Sequence, residues 1–219
     1  MPLSTCEISG ASIVLLGSFN PWIFQPSWLV ATGLAAAQEA GGDDESVIHP
    51  QVTAFGIGSL DLRVTREKFE INTADSAQFR PLCDMVIGIF GILEHTPFTA
   101  MGLNRRMHFS IADPNGVEQV FARLAPREPW GDQLQDLLPQ SLTIAGNPPA
   151  EHAGRFSVTV EPSVRVQGGI FFAANEHYDN EKGSAARVLL DLLQARWEES
   201  LRFAETFAAN LLERTLKRR

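Results

Sequence analysis

Apolar residues recur at every second position in Leu60-Asp61-Leu62-Arg63-Val64 and at Phe69 and Ile71, with the polar corner Thr65-Arg66-Glu67 between the two runs. Period two on both sides of a polar corner predicts a hairpin with one dry and one wet face. The period returns where Phe156, Val158 and Val160 alternate with Ser157, Thr159 and Glu161. Pro162-Ser163 then marks a bend before Gly168-Gly169 and the apolar strand Gly169–Asn175. One face of this sheet is built to be buried.

Elsewhere the spacing changes to three and four. Leu82, Met85, Val86, Ile89, Phe90 and Leu93, widened by Cys83, Ile87 and Ile92, predict a central helix from about Ser76 to Glu94, ended by Pro97. Near the C-terminus Leu189, Leu193, Trp197, Ala204, Phe207, Ala208 and Leu211 form one stripe, while Arg187, Asp191, Glu198, Arg202, Glu205 and Glu213 decorate the other side. An unbroken helix from Gly183 to Lys217 would be about 50 Å long. A compact domain of this size has a radius of gyration of roughly 17 Å, so the last turns, with Phe207, Leu211 and Leu212, are expected to need a covering partner.

The element order runs through twice, displaced by about 95 to 103 positions. The first pass has the strand Ser12–Leu16, a turn at Ser18–Pro21, a helix from Ser27 to about Ala40, the hairpin, and the helix from Ser76. The second has the strand Arg106–Ile111, a turn at Asp113–Gly116, the helix Val117–Leu124, the strands Ser141–Ala145, Arg155–Glu161 and Gly169–Asn175, and the terminal helix. Exposed linkers are expected at Glu39–Glu45 and Asn147–Gly154. The expectation is therefore α+β: one domain over residues 1–219, with an antiparallel curved sheet built from two pseudo-repeats (strand-helix-strands-helix), approximately 11–95 and 96–216, and a long C-terminal helix.

This order resembles the duplicated saddle fold of the TATA-box-binding protein. That family's DNA face resembles a sheet with apolar wedges and basic residues, a composition this chain does not share, so DNA recognition is not carried over with the fold. The segments Gly17-Ser18-Phe19-Asn20-Pro21-Trp22-Ile23-Phe24-Gln25-Pro26-Ser27-Trp28 and Thr96-Pro97-Phe98-Thr99-Ala100-Met101-Gly102-Leu103-Asn104 are similar to those of sporadically distributed, uncharacterised bacterial proteins, a likeness that implies no activity.

Composition sets the outer bounds. The 219 residues are 44% hydrophobic and 20% charged, and the net charge of -8 repels polyanions. Direct nucleic-acid binding is not expected; Arg105-Arg106 and Lys217-Arg218-Arg219 read as solvated clusters, or as contacts made with a basic partner's help. Two cysteines without C-x-x-C spacing, no signal-like N-terminus and no run of eighteen apolar residues fit a reducing, cytoplasmic setting without a membrane.

Candidate chemistry is sparse. Asn175-Glu176-His177, followed by Tyr178 and Asp179, stands where a strand is expected to end, as a ligand-orienting or acid/base group or as a polar turn. His49, His95 and His108 lack the spacing of a metal motif, Gly56-Ile57-Gly58 lacks a dinucleotide fingerprint, and Cys83 sits in an apolar pattern. No catalytic residue, metal or cofactor is assigned. Trp22, Phe24 and Trp28 fall in a loop stiffened by Pro21 and Pro26, suited either to an interface or to closing the core. The functional expectation is a non-enzymatic interaction or assembly module that binds another protein, or itself, through this loop and Phe207, Leu211 and Leu212. The alternatives are a small-molecule-binding protein or enzyme with its pocket between sheet and helices, and a nucleic-acid-associated protein acting with a basic partner.

Overall fold

The two expected hairpin strands form as β4 (Leu60–Thr65) and β5 (Lys68–Thr73), paired through Leu62 with Ile71 and Val64 with Phe69, which puts all four side chains on one face. The computed structural model describes residues 3–40, 46–133, 137, 139–148, 154–180 and 186–217. The other strands are β1 (Ser4–Gly17), β2 (Val47–His49), β3 (Val52–Ile57), β6 (Phe98–Ile111), β7 (Leu142–Gly146), β8 (Arg155–Pro162) and β9 (Gly169–Asp179). Among the described residues all nine join one open antiparallel sheet in the order β2-β3-β4-β5-β1-β6-β9-β8-β7. With α1 (Pro26–Ala31), α2 (Phe79–Ile92), α3 (Gly116–Leu124) and α4 (Ala186–Leu216), the protein is α+β with a long C-terminal helix.

Alternation decides which face is covered. Ile13 and Leu15 of β1 lie opposite Leu103 and Met101 of β6, and these, with Phe69, Ile71 and Leu62, meet Leu82, Val86, Ile89 and Phe90 of α2 in a first hydrophobic cluster. Further along, Met107 and Phe109 of β6 and Ile170 and Phe172 of β9 meet Val120 and Phe121 of α3 in a second. Every helix contributes to one cluster or the other, so all four lie on the same side of the sheet. The opposite face carries Asn72, Ser12, Asn104, Arg106, His108, Asn175 and His177.

Several expectations are corrected. The central strands β1 and β6 are 14 residues each, far longer than the apolar runs Ser12–Leu16 and Arg106–Ile111 suggested. Their polar and glycine positions pair backbone to backbone along nearly the whole length, and the ladder needs no side-chain signal. The helix expected over Ser27–Ala40 stops at Ala31. Gly33, at φ 73°, donates its N–H to Val30, and Leu34 donates to Leu29, a Schellman closure that ends the helix. Strands β2 and β3 fill the stretch before β4, where no element was expected. The expected linkers fall partly on residues 41–45 and 149–153, which lie outside the described residues.

α4 spans about 46 Å at the standard helical rise. It does not overhang. It runs along β6, itself about 46 Å long, with Leu189, Leu193 and Trp197 in the first cluster and Ala204, Ala208, Leu212 and Leu216 in the second. Between the two clusters the same side of the sheet turns polar, at Arg105 of β6 and Glu176 of β9, both buried.

Candidate interaction surface

The aromatic loop divides its residues sharply. Phe24 is 1% exposed and packs with ring centroids 5.7 Å from Phe69 and 6.1 Å from both Phe90 and Trp28; Trp28 is half-buried against the same cluster. Trp22, two residues earlier, is 52% exposed. Its backbone is nevertheless held: the Asn20 carboxamide accepts from Trp22 N–H at 3.2 Å, Gln25 Nε2 donates to the Trp22 carbonyl at 2.9 Å, and Thr53 Oγ1 donates to the Pro21 carbonyl at 2.9 Å. Pro21–Ile23 form a single 3-10 turn that packs on β2 and β3. Exposed Ile23 on this turn and exposed Ile48 on the adjoining edge strand continue the apolar surface; Ile48 pairs with the buried Thr53 on the helix side, whereas Val47, one residue earlier, points to the other face.

Of the candidate interface residues, then, Trp22 is presented and Phe24 is core. A two-residue step in the loop turns one ring inward and the other outward. Leu212 is fully buried, while Phe207 and Leu211 are half-buried on the second cluster; the Phe207 ring lies 5.4 Å from Phe156. Met107 and Phe109 of β6, Phe156 of β8 and Phe121 of α3 belong to the cluster that covers these turns from within the chain. Ile23 and Ile48 had no periodic signal to mark them, since a three-residue strand shows no alternation.

Asn175, Glu176 and His177 do not converge. β9 continues to Asp179, so consecutive side chains point to opposite faces. Asn175 donates to Asn104 Oδ1 at 2.7 Å and His177 Nε2 lies 2.9 Å from Asp179 Oδ1, both on the helix-free face. Glu176 faces the helices, where Tyr178 donates to its Oε1 at 2.6 Å; its Oε2 is buried with no hydrogen-bond partner among the described residues. Burial, reinforced by that bond to Glu176, raises the Tyr178 pKa. The three residues hold the sheet on two separate faces rather than one mouth.

The histidines considered together are far apart. His49 is on β2 at the sheet edge, His95 is exposed after α2, and His108 is on β6, about 24 Å from β2 at the usual strand spacing. Among the described residues no group of three or more His, Cys, Asp or Glu could hold a metal ion, and no helix is long and apolar enough to cross a membrane. Burial pushes the Cys83 thiol up to about 12. Arg105 and Arg106 part company: Arg105 is buried, donating to Glu205 Oε1 at 2.5 Å and to the Gly10 carbonyl at 3.1 Å, and only Arg106 is exposed. Arg218 and Arg219 lie outside the described residues.

The fold and this surface define an α+β protein with an open antiparallel sheet and a presented aromatic turn. No family model and no curated protein matches the chain.

Proposed function

We propose that this chain is a non-enzymatic protein-interaction module whose partner, another protein or a second copy, docks on Trp22 and the apolar surface beside it. The observation that carries this is the half-exposed Trp22 on a backbone already fixed by Asn20, Gln25 and Thr53. A large aromatic on a rigid turn loses little conformational entropy when a partner closes over it, which is why tryptophans dominate interface energetics. Ile23 and Ile48 extend the contact, and the exposed β2 supplies backbone at the sheet edge.

The reading places the protein in the cytoplasm. It also treats the chain as one domain of two pseudo-repeats, related through the adjacent β1 and β6. Support comes from the flanking order, β5 beside β1 and β9 beside β6, with α2 and α4 following these outer strands. The burial of Arg105 against Glu205 favours a protein over a polyanion as partner.

The test is affinity capture of the tagged protein from its host at low salt, run in parallel with Trp22→Ala and with Trp130→Ala, another exposed tryptophan remote from this loop in sequence. A stoichiometric protein bound by wild type and by Trp130→Ala, and lost with Trp22→Ala, supports the module. Recovery of the protein alone, or capture indifferent to Trp22, overturns it.

A further inference from the structure

The helix-free face of the sheet is not flat. Its floor dips where β1 carries Gly10, forming a trough of about 570 Å³ between β4 and β5 on one side and the turn after β8 on the other. Gly10 leaves the floor low; a Cβ there would meet the Thr73 carbonyl oxygen at 3.0 Å. Across from Gly10 stands Arg106, and two residues on, on the same face, His108. Phe171 pairs with His108 and Val164 forms the rim.

Among the described residues the Arg106 guanidinium has no hydrogen-bonded partner. Its nearest acid is Glu70, at 3.9 Å, and Glu70 already accepts from Lys68 Nζ at 2.7 Å. His108 is 8% exposed, its ring 4.6 Å from that of Phe171. The proton on this imidazole can be placed by counting donors. Ser163 Oγ accepts from the N–H groups of Arg165 at 3.2 Å and Val166 at 2.9 Å, so its own hydrogen is left to donate to His108 Nδ1 at 2.8 Å. Neutral His108 then carries its proton on Nε2, as a donor with no acceptor among the described residues. Burial, and secondarily the nearby Arg165, lower the His108 pKa and keep the ring in this neutral form.

The trough therefore holds donors in search of an acceptor. Of the two acids that line it, Glu161 accepts from Ser141 Oγ at 2.9 Å, and Asp61 lies three strands from Arg106, about 14 Å across the sheet. Val164, 97% exposed, and the free edge of Phe171 give the same end an apolar wall.

We propose that this trough binds a small organic anion, a carboxylate or a phosphate monoester, with its charged end on the Arg106 guanidinium and the His108 Nε2–H and its apolar body against Phe171 and Val164. Guanidinium recognises both anions through paired N–H donors, so the shared chemistry is an oxyanion on a hydrophobic stem. The site is separate from the Trp22 surface, which lies on the far edge of the sheet and on its helix side.

The experiment is an NMR titration of the full chain with phenyl phosphate, benzoate and, as a neutral control, benzyl alcohol, following the Arg106 Nε–H and the His108 ring. Saturable shifts are expected with at least one anion and not with the alcohol, and the tighter anion tells phosphate from carboxylate. Arg106→Gln should weaken that binding by about tenfold or more, as expected for loss of a charge-assisted contact. Arg63→Gln, on the same face but outside the trough, should change it less than about twofold, the size of a screened long-range effect. Melting curves of both variants confirm that the fold is retained. Shifts that never saturate, or an equal loss in the two variants, would reduce the effect to general charge attraction and overturn the proposal.

Discussion

Arg105 of β6 and Glu205 of α4 are joined at 2.5 Å, although the arginine is buried and the glutamate half exposed. The guanidinium also lies 4.5 Å over the Phe79 ring, and its Nε is buried without a hydrogen-bond partner among the described residues. This ion pair fastens the terminal helix to the sheet at the polar break between the two hydrophobic clusters. Glu205→Ala leaves the guanidinium with only the Gly10 carbonyl and an aromatic face. Because water reaches the carboxylate side, the loss should be about 1–2 kcal/mol, below the range for fully buried pairs. Arg105→Ala also empties the space under Phe79 and should cost about 2–4 kcal/mol. Arg105→Met, which keeps the stem and removes the buried charge, should stay within about 1 kcal/mol of wild type. Urea denaturation of the three variants gives the order.

Trp197 makes the second fastening. It is fully buried, and its Nε1–H donates to the Phe79 carbonyl at 2.8 Å, tying the middle of α4 to the start of α2. Trp197→Phe should lose about 1–3 kcal/mol, leaving a buried carbonyl short of one donor, and Trp197→Ala about 3–5 kcal/mol. If Trp197→Ala unfolds at the wild-type urea midpoint, the junction does not carry the stability assigned to it.

The elements with strong periodicity were legible in the sequence. α2, α3, α4, the β4–β5 hairpin and β8 stand where the spacing of apolar residues placed them, within a few positions. What could not be read was length without pattern. β1 begins at Ser4 in a polar stretch and β6 takes in Gly102 and Asn104; both are strands because each has the other alongside. Hidden length also misplaced a site expectation: the similar extension of β9 to Asp179 sends Glu176 to the opposite face from Asn175 and His177. Leu212, expected to need a partner, is buried because α4 lies over Met107 and Phe109, within the part of β6 that was expected. Trp22 could be named as a candidate, but which of the loop's rings faces outward depends on the phase of one 3-10 turn, which composition does not encode.

Two glycines separate backbone conformation from packing. Gly33 and Gly91 both have open space where a Cβ would stand, so neither substitution clashes. Gly33 sits at φ 73° after α1, whereas Gly91 is in the last turn of α2. Gly33→Ala should destabilise by about 1 kcal/mol or slightly more, the cost of forcing a side chain into the left-handed region. Gly91→Ala should stabilise by up to about 1 kcal/mol through helix propensity and reduced freedom of the unfolded chain. Thermal melts of the two variants should move in opposite directions.

Cys83 supplies a pH dependence with a definite sign. Its thiol titrates near 9 when free and is pushed to about 12 by burial, so the folded state disfavours the thiolate. The unfolded chain gives up this proton first, and stability contributed by the site is complete below about pH 9 and is lost as pH rises toward 12. The slope should approach about 1.4 kcal/mol per pH unit within that window and be absent in Cys83→Ala. At pH 8, iodoacetamide should label the exposed Cys6 in the native protein and reach Cys83 only in urea. Equal native labelling of both thiols would show that Cys83 is not enclosed.

Trp22 and Phe24 allow binding to be separated from folding within a single turn. Phe24 fills the first cluster between Phe69 and Phe90, and Phe24→Ala should cost about 3–5 kcal/mol as a cavity in a packed aromatic group. Trp22 contributes its backbone to the turn but leaves half its surface in water, and the hydrogen bonds at its N–H and carbonyl survive truncation. Trp22→Ala should therefore shift stability by no more than about 1 kcal/mol, the range for side chains outside the core. A Trp22→Ala protein that melts like wild type gives the capture experiment its meaning, because any lost partner then reports a lost contact. If Trp22→Ala instead costs as much as Phe24→Ala, the indole is part of the core, and the exposed turn loses its standing as an interface.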